Sequence, residues 1–230
     1  VPIDLNVRIP TPDLIHPFIE MAEKLGLTGL GITLKLEHPA VKTESGILLY
    51  RRTDLTGNSV SAVRKQLRQV RQHSILVAVP FKTIEISNWV AEDTRVDILT
   101  FDFSSNENVL RESTARLAAA SDTILEIPVA PLLKTHGLDR SIIIKPIRET
   151  CKIAFNAGMK VILSSCSTLP IEMRSPTTFQ HIGLLFGMDL QYWKKSIFEV
   201  PDQIIAQNQK KMDSSHIASG IELVRGGNQE

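Results

Sequence analysis

Short runs of β-branched and aliphatic residues recur along this chain, and most are followed by a stretch whose apolar positions return every three or four residues. Ile3 to Val7 reads as a first strand. Thr11-Pro12-Asp13 opens a helix with Leu14, Phe18, Met21 and Leu25 on one side and Gly26 as its stop. Gly29 to Leu34 and Gly46 to Tyr50 read as the second and third strands. Asn58-Ser59 caps a helix that places Val60, Val63, Leu67 and Val70 on one face. Ile75 to Val79, Asp97 to Phe101, Thr123 to Ile127 and Lys160 to Leu163 complete a set of seven strands. Helices through Trp89 and Val90, from about Asn106 to Ala120, and up to Gly158 lie between them.

Pro146 is expected in the first turn of a helix, where its missing N–H costs nothing. Three further helices follow, at Pro176 to Phe186, Leu190 to Phe198 and Pro201 to Lys211, before a tail at about 213–230 with a frayed tip. No repeat or Pro/Gly linker divides the chain, so residues 1–230 are read as a single α/β domain. Regular strand–helix alternation argues for a parallel sheet, and seven units favour a closed barrel over an open one.

Composition fits that picture: 43% hydrophobic and 22% charged residues are enough for a full core. Apolar runs such as Ile75 to Val79 are too short to span a bilayer, and no signal-peptide pattern opens the chain. Two cysteines, Cys151 and Cys166, give no disulfide framework and fit a reducing, cytoplasmic setting. Net charge is only +1, but the charge is segregated. Leu55 to Ile84 holds five basic residues and no acid, whereas Glu85 to Glu126 holds nine acids against three arginines. Such blocks suit either a polyanion-facing side or two solvated helix faces.

Candidate chemistry belongs at the C-terminal ends of the strands. Asn6, Arg8, Lys35, Arg51, Arg52, Lys82, Asp102, Ser164 and Ser165 leave those ends, which gives five cations and one nearby carboxylate. The six histidines show no spacing that would hold two ligands on one metal, so no metal or catalytic residue is assigned. Ser164-Ser165-Cys166 lacks the Gly-x-Ser-x-Gly elbow. The glycines between Leu25 and Gly31 enter a strand instead of following one, unlike nucleotide-binding loops.

Two basic features remain. Arg64, Arg68 and Arg71 form one stripe opposite the apolar face of their helix, with Lys65 beside them and Arg51-Arg52 upstream. Arg174 precedes Ser175, a cap for the helix starting at Pro176, whose N-terminus favours an anion. Trp89 and Trp193 do not make the aromatic platform of a single-strand binder.

Ser164-Ser165, Arg174-Ser175-Pro176 and Gly187-Met188, in that order and spacing, resemble the ribonuclease P protein component 3 family. Asp4-Leu5-Asn6-Val7, Arg51-Arg52, Pro201 to Asn208 and Gly220-Ile221-Glu222 support the resemblance, which runs from about Ile3 to Val224. Cys166-Ser167 departs from it, standing where a small Gly-Ala-like pair is expected. The resemblance implies a TIM-like (β/α) barrel related to polymerase-and-histidinol-phosphatase (PHP) domains. Where PHP enzymes keep metal ligands, this chain has Asp4 and Asn6, Leu34 and Lys35, Leu48, and Cys166 and Thr168.

It further implies a non-catalytic subunit of the ribonucleoprotein that removes the 5′ leader of precursor tRNA. Magnesium would then sit on the RNA subunit and no cofactor on this chain. Partners would be ribonuclease P RNA and protein component 2, with precursor tRNA met indirectly and no membrane contact. The RNA-contacting residues would be Arg51, Arg52, Arg64, Lys65, Arg68, Arg71, Arg174 and Ser175. Two alternatives stand beside this reading: a PHP-like metal-dependent phosphoesterase using Asp4, Asp102 and Glu126, and a pure protein scaffold.

Overall fold

The computed structural model describes residues 1–103 and 110–212, together with the backbone of two short strands at 216–218 and 221–222. Seven parallel strands form a nearly closed barrel: β1 (Ile3–Val7), β2 (Gly29–Ile32), β4 (Leu48–Asp54), β5 (Leu76–Pro80), β6 (Ile98–Thr100), β7 (Ile124–Pro128) and β8 (Val161–Ser164), in that spatial order. β3 (Ala40–Lys42) pairs antiparallel with the first half of β4, and β5 takes the second half. The ring closes just beyond β8, where the Cys166 N–H donates to the Asn6 carbonyl and the Arg8 N–H to the Ser167 carbonyl, both at 2.8 Å. No described helix is long and apolar enough to cross a membrane.

Helices cover the barrel: α1 (Ile15–Lys24), α2 (Val60–Val70), α3 (Ile84–Glu92), α4 (Glu112–Ala120), α5 (Ala130–Lys134), α6 (Gly137–Asn156) and α7 (Pro176–Leu185). The longer ones bury the stripe that their apolar spacing marks; Val63 and Leu67 of α2, for example, join Val77, Val79 and Ile86 in the core. Gly26, at φ +72°, stops α1 in the left-handed region. Gly31 lies where β1 and β2 approach so closely that a Cβ would meet the Leu5 carbonyl oxygen at 2.4 Å. Strand packing accounts for that glycine without any nucleotide.

α8 (Leu190–Lys194), a π-helical turn (Lys195–Glu199) and α9 (Val200–Met212) run on from one another, whereas the sequence reading has two separate helices. Their backbone stays helical through Lys195 and Val200. Val200, Ile204 and Ile205 of α9 join Ile3, Leu5, Tyr50, Ile98, Ile124 and Ile162, closing the N-terminal end of the barrel. Pro146 is a second difference, because it lies inside the twenty-residue α6 and not in a first turn. Ile143 and Ile144 before the proline pack half-buried against the core, Ile147, Thr150, Cys151 and Ala154 after it are buried, and that packing outweighs the lost hydrogen bond.

The third strand begins and ends later than its apolar run, extending through Arg52 to Asp54, and β3 and α5 carry no periodic signal of their own. The fourth helix begins at Glu112; the part of its expected span between Asn106 and Val109 lies outside the described residues, as do the tail tip and Gly220.

Candidate nucleic-acid interface

Alternation along β4 turns Tyr50, Arg52 and Asp54 inward and Arg51 outward. Arg52 is thereby carried to the centre of the barrel, only 1% exposed, and not to the RNA side expected from sequence. Its Nη1 and Nη2 donate to Oε1 and Oε2 of Glu126 from β7, each at 2.6 Å, in a bidentate fork. Nε donates to Asp54 Oδ1 at 2.7 Å, Nη1 also to the Leu5 carbonyl at 2.8 Å, and Nη2 to Thr100 Oγ1 at 3.3 Å. Glu126 further accepts from Asn6 Nδ2 and Thr100 Oγ1. Burial alone would lower the Arg52 pKa, but Asp54 and Glu126 outweigh it and hold it above the usual value.

The mouth therefore differs from the sequence expectation of five cations and one carboxylate. Arg52 is neutralised inside by Glu126 and Asp54, and Arg8 donates to Asp54 Oδ2 at 3.0 Å from the rim. Lys82 is tied to the Thr56 carbonyl and Asn58 Oδ1, bracing the loop before α2. A PHP-type metal does not fit this arrangement, because a guanidinium already engages both oxygens of Glu126. Asp4 accepts the N–H groups of Asn6 and Ser165; burial still pushes its carboxyl up to about 6 against those bonds. Among the described residues no group of three or more His, Cys, Asp or Glu side chains converges to hold a metal, so Asp4, Asp102 and Glu126 do not form one.

Arg71 is the second correction. It belongs to a 3-10 turn after α2, at the N-terminal end of the barrel, and its Nη1 donates to Asp97 Oδ2 at 2.6 Å. Asp97 also accepts from the Val77 N–H and Asn208 Nδ2. Burial pushes the Asp97 carboxyl up, opposed by Arg71. This arginine locks α9 and α2 to the barrel instead of reaching outward. The acid that partners it, Asp97, lies just before β6, 26 residues on, so proximity along the helix could not reveal it.

Arg64, Lys65 and Arg68 do stand exposed on α2, with Ser59 capping the helix through the Ala62 N–H as predicted. The Arg64 guanidinium lies 5.4 Å over the ring of Trp89 from α3, a contact the sequence reading lacked. Lys65, Arg68 and the half-buried, outward Arg51 form no ion pair among the described residues. Arg174 and Ser175 lie elsewhere: α7 follows β8, which β1 and β2 separate from β4. Arg174 Nη1 donates to the carbonyls of Ile171 and Met173, and Ser175 Oγ accepts the Thr178 N–H, capping α7 as expected. The eight sequence-predicted residues thus divide into a basic face on and near α2, a buried clamp at Arg52 and a half-buried one at Arg71, and a separate capped loop.

The family described as RNase P subunit p30 matches residues 2–213. Ribonuclease P protein component 3 of Methanosarcina barkeri is 22% identical over 212 residues, 90% of this chain and 88% of that relative. The protein of the same description from Methanococcus maripaludis strain C5 is 25% identical, over 74% of this chain and 73% of its own. Among solved structures, a chain of an archaeal ribonuclease P with mature tRNA superposes with a TM-score of 0.78 at 17% identity, covering 99% of this chain and all of that one. That likeness shows the fold.

Proposed function

Because the chain belongs to the RNase P subunit p30 family, we propose that it serves ribonuclease P as a non-catalytic protein subunit. It supports the catalytic RNA while that RNA removes the 5′ leader of precursor tRNA. The observation that carries the non-catalytic part is the Arg52–Glu126 clamp, which fills the barrel mouth with an internally neutralised cation. Among the described residues a reacting phosphate would find neither a converging set of carboxylates nor an unpaired Arg52 guanidinium there.

The outer face is what remains for RNA. On this reading Arg64, Lys65 and Arg68, with Arg51 nearby in the chain, neutralise phosphates and release their counterions. Magnesium is held by the RNA, and protein component 2 is the partner within the particle. Precursor tRNA is met through the RNA, and the particle works in the cytoplasm.

Replacing Arg64, Lys65 and Arg68 together by Ala should weaken binding to ribonuclease P RNA and flatten the salt dependence by roughly 2–3 units. Arg71→Ala serves as the control: it should lower stability and leave the slope alone, since Arg71 faces Asp97. An unchanged slope for the triple variant would remove α2 from the RNA surface.

A further inference from the structure

The segment from Ser164 to Pro176 has a geometry that RNA contact does not explain. Between its serines and its helix cap, the loop at 168–172 holds two large aliphatic side chains out in water. Leu169 is 55% exposed and Ile171 72% exposed. Single exposed leucines are ordinary. Two in three residues on a fixed loop are not explained by the core, which they do not join.

The loop is stapled from three sides. Glu172 Oε2 accepts from the Thr168 N–H at 2.8 Å, from Thr168 Oγ1 at 3.1 Å and from the Leu169 N–H at 3.3 Å, while its Oε1 pairs with Lys134 of α5 at 2.7 Å. Arg174 holds the far end through the Ile171 and Met173 carbonyls. Met173 is buried against Phe18 and Ile19 of α1. Beneath, Ser165 Oγ donates to Ser167 Oγ and Ser167 bridges to Val7, anchoring the loop on the barrel seam. A loop backbone fixed in this way loses little conformational freedom when something covers it.

We propose that the loop at 168–172 is a preformed docking platform for a protein partner, which receives Leu169 and Ile171 and sets a carboxylate against Arg174. The Arg174 guanidinium bonds only to neutral carbonyls among the described residues, so its charge lacks a counter-charge. That favours an acidic rim on the partner. RNA suits the platform less, because aliphatic side chains offer neither charge to phosphate nor a ring to a base. A second copy of this chain suits it less too, because a symmetric contact would set Arg174 against Arg174.

The proposal rests on the reading that the chain works inside a multi-protein particle. It is tested by hydroxyl-radical footprinting of Leu169 and Ile171 in three states: the free chain, the chain with the particle's other protein components, component 2 among them, and the full particle with RNA. Protection should be complete in the protein-only assembly. Leu169→Asp with Ile171→Asp should weaken that assembly by about 30-fold or more while leaving the melting temperature unchanged. The α2 triple variant should assemble normally.

Protection that arises only when RNA is added, or that grows with the concentration of the free chain alone, would overturn the protein-partner assignment. So would full reactivity in a particle that the chain has joined. A wild-type chain that fails to join the particle would instead sink the proposed function, and the platform with it.

Discussion

Replacing Arg52 by Ala tests whether the barrel mouth is a structural clamp. The substitution removes a side chain that is wholly buried and donates to Asp54, the Leu5 carbonyl, Thr100 and both oxygens of Glu126. Glu126 is left inside the barrel with only Asn6 and Thr100 as donors, and its negative charge loses its counter-ion. Breaking a buried pair from one side costs about 3–5 kcal/mol. The two surviving donors soften that loss, while the space vacated by the arginine stem adds to it, so a total near 4 kcal/mol is expected. For a chain of this size each kcal/mol lowers the melting temperature by about 2–4 °C, so a fall of about 10 °C should follow. Urea unfolding of wild type, Arg52→Ala and the double variant Arg52→Met with Glu126→Met measures it. The double variant should recover roughly half of the loss or more, because no charge is then stranded. A single variant within about 1 kcal/mol of wild type would refute the clamp, since that is the range of an exposed pair.

Two further outcomes follow from the same seam. Asp4 has its folded pKa raised from 3.8 to about 6, so its stabilising contribution is complete below pH 4 and is lost as pH rises through 6. The stability of wild type relative to Asp4→Asn should therefore fall by about 3 kcal/mol between pH 4 and pH 7; parallel urea curves across that range would refute it. Cys166 is held at φ +52° with its thiol pushed up to about 11, chiefly by burial, so alkylation should climb about tenfold per pH unit between 8 and 10. A plateau below pH 10 would show an activated thiolate instead.

The elements legible in the sequence were those whose periodicity comes from burial on one side. α2 and the strands around Val77, Leu99, Leu125 and Leu163 lie within a residue or two of their expected bounds for that reason, while α1 starts at Ile15 because a 3-10 turn at Pro12–Leu14 takes the opening expected for it. The failures share a cause. β4 was cut short because its inward positions turn polar at Arg52 and Asp54, which end the apolar run while the backbone pairing with β5 goes on. Pro146 misled because a proline reports a local cost, and the packing of α6 outweighs it. At the candidate site, residue type was readable and direction was not. Arg51 and Arg52 look alike in the chain, yet strand alternation sends one outward and the other against Glu126, 74 residues away. Arg68 and Arg71 diverge because the helix tightens at its end and Asp97 waits just before β6.

That divergence links fold to function. An interior arginine that satisfies Glu126 and Asp54 strengthens the barrel and in the same step leaves its mouth, among the described residues, without a free ligand set. Whatever binding the chain carries out is then pushed to surfaces the barrel does not need for its own stability. α2 meets that condition, because the apolar residues that hold it lie opposite Arg64 and Arg68. The stapled loop above β8 meets it too, since neither Leu169 nor Ile171 enters the core. The two surfaces lie on different sectors of the ring, with β1 and β2 between the strands that carry them. A chain built this way can hold an RNA and a protein at once without either competing for the other's contacts. Combining the α2 triple variant with Leu169→Asp and Ile171→Asp should therefore give additive losses in assembly of the full particle with RNA, because sites that share no residues do not couple.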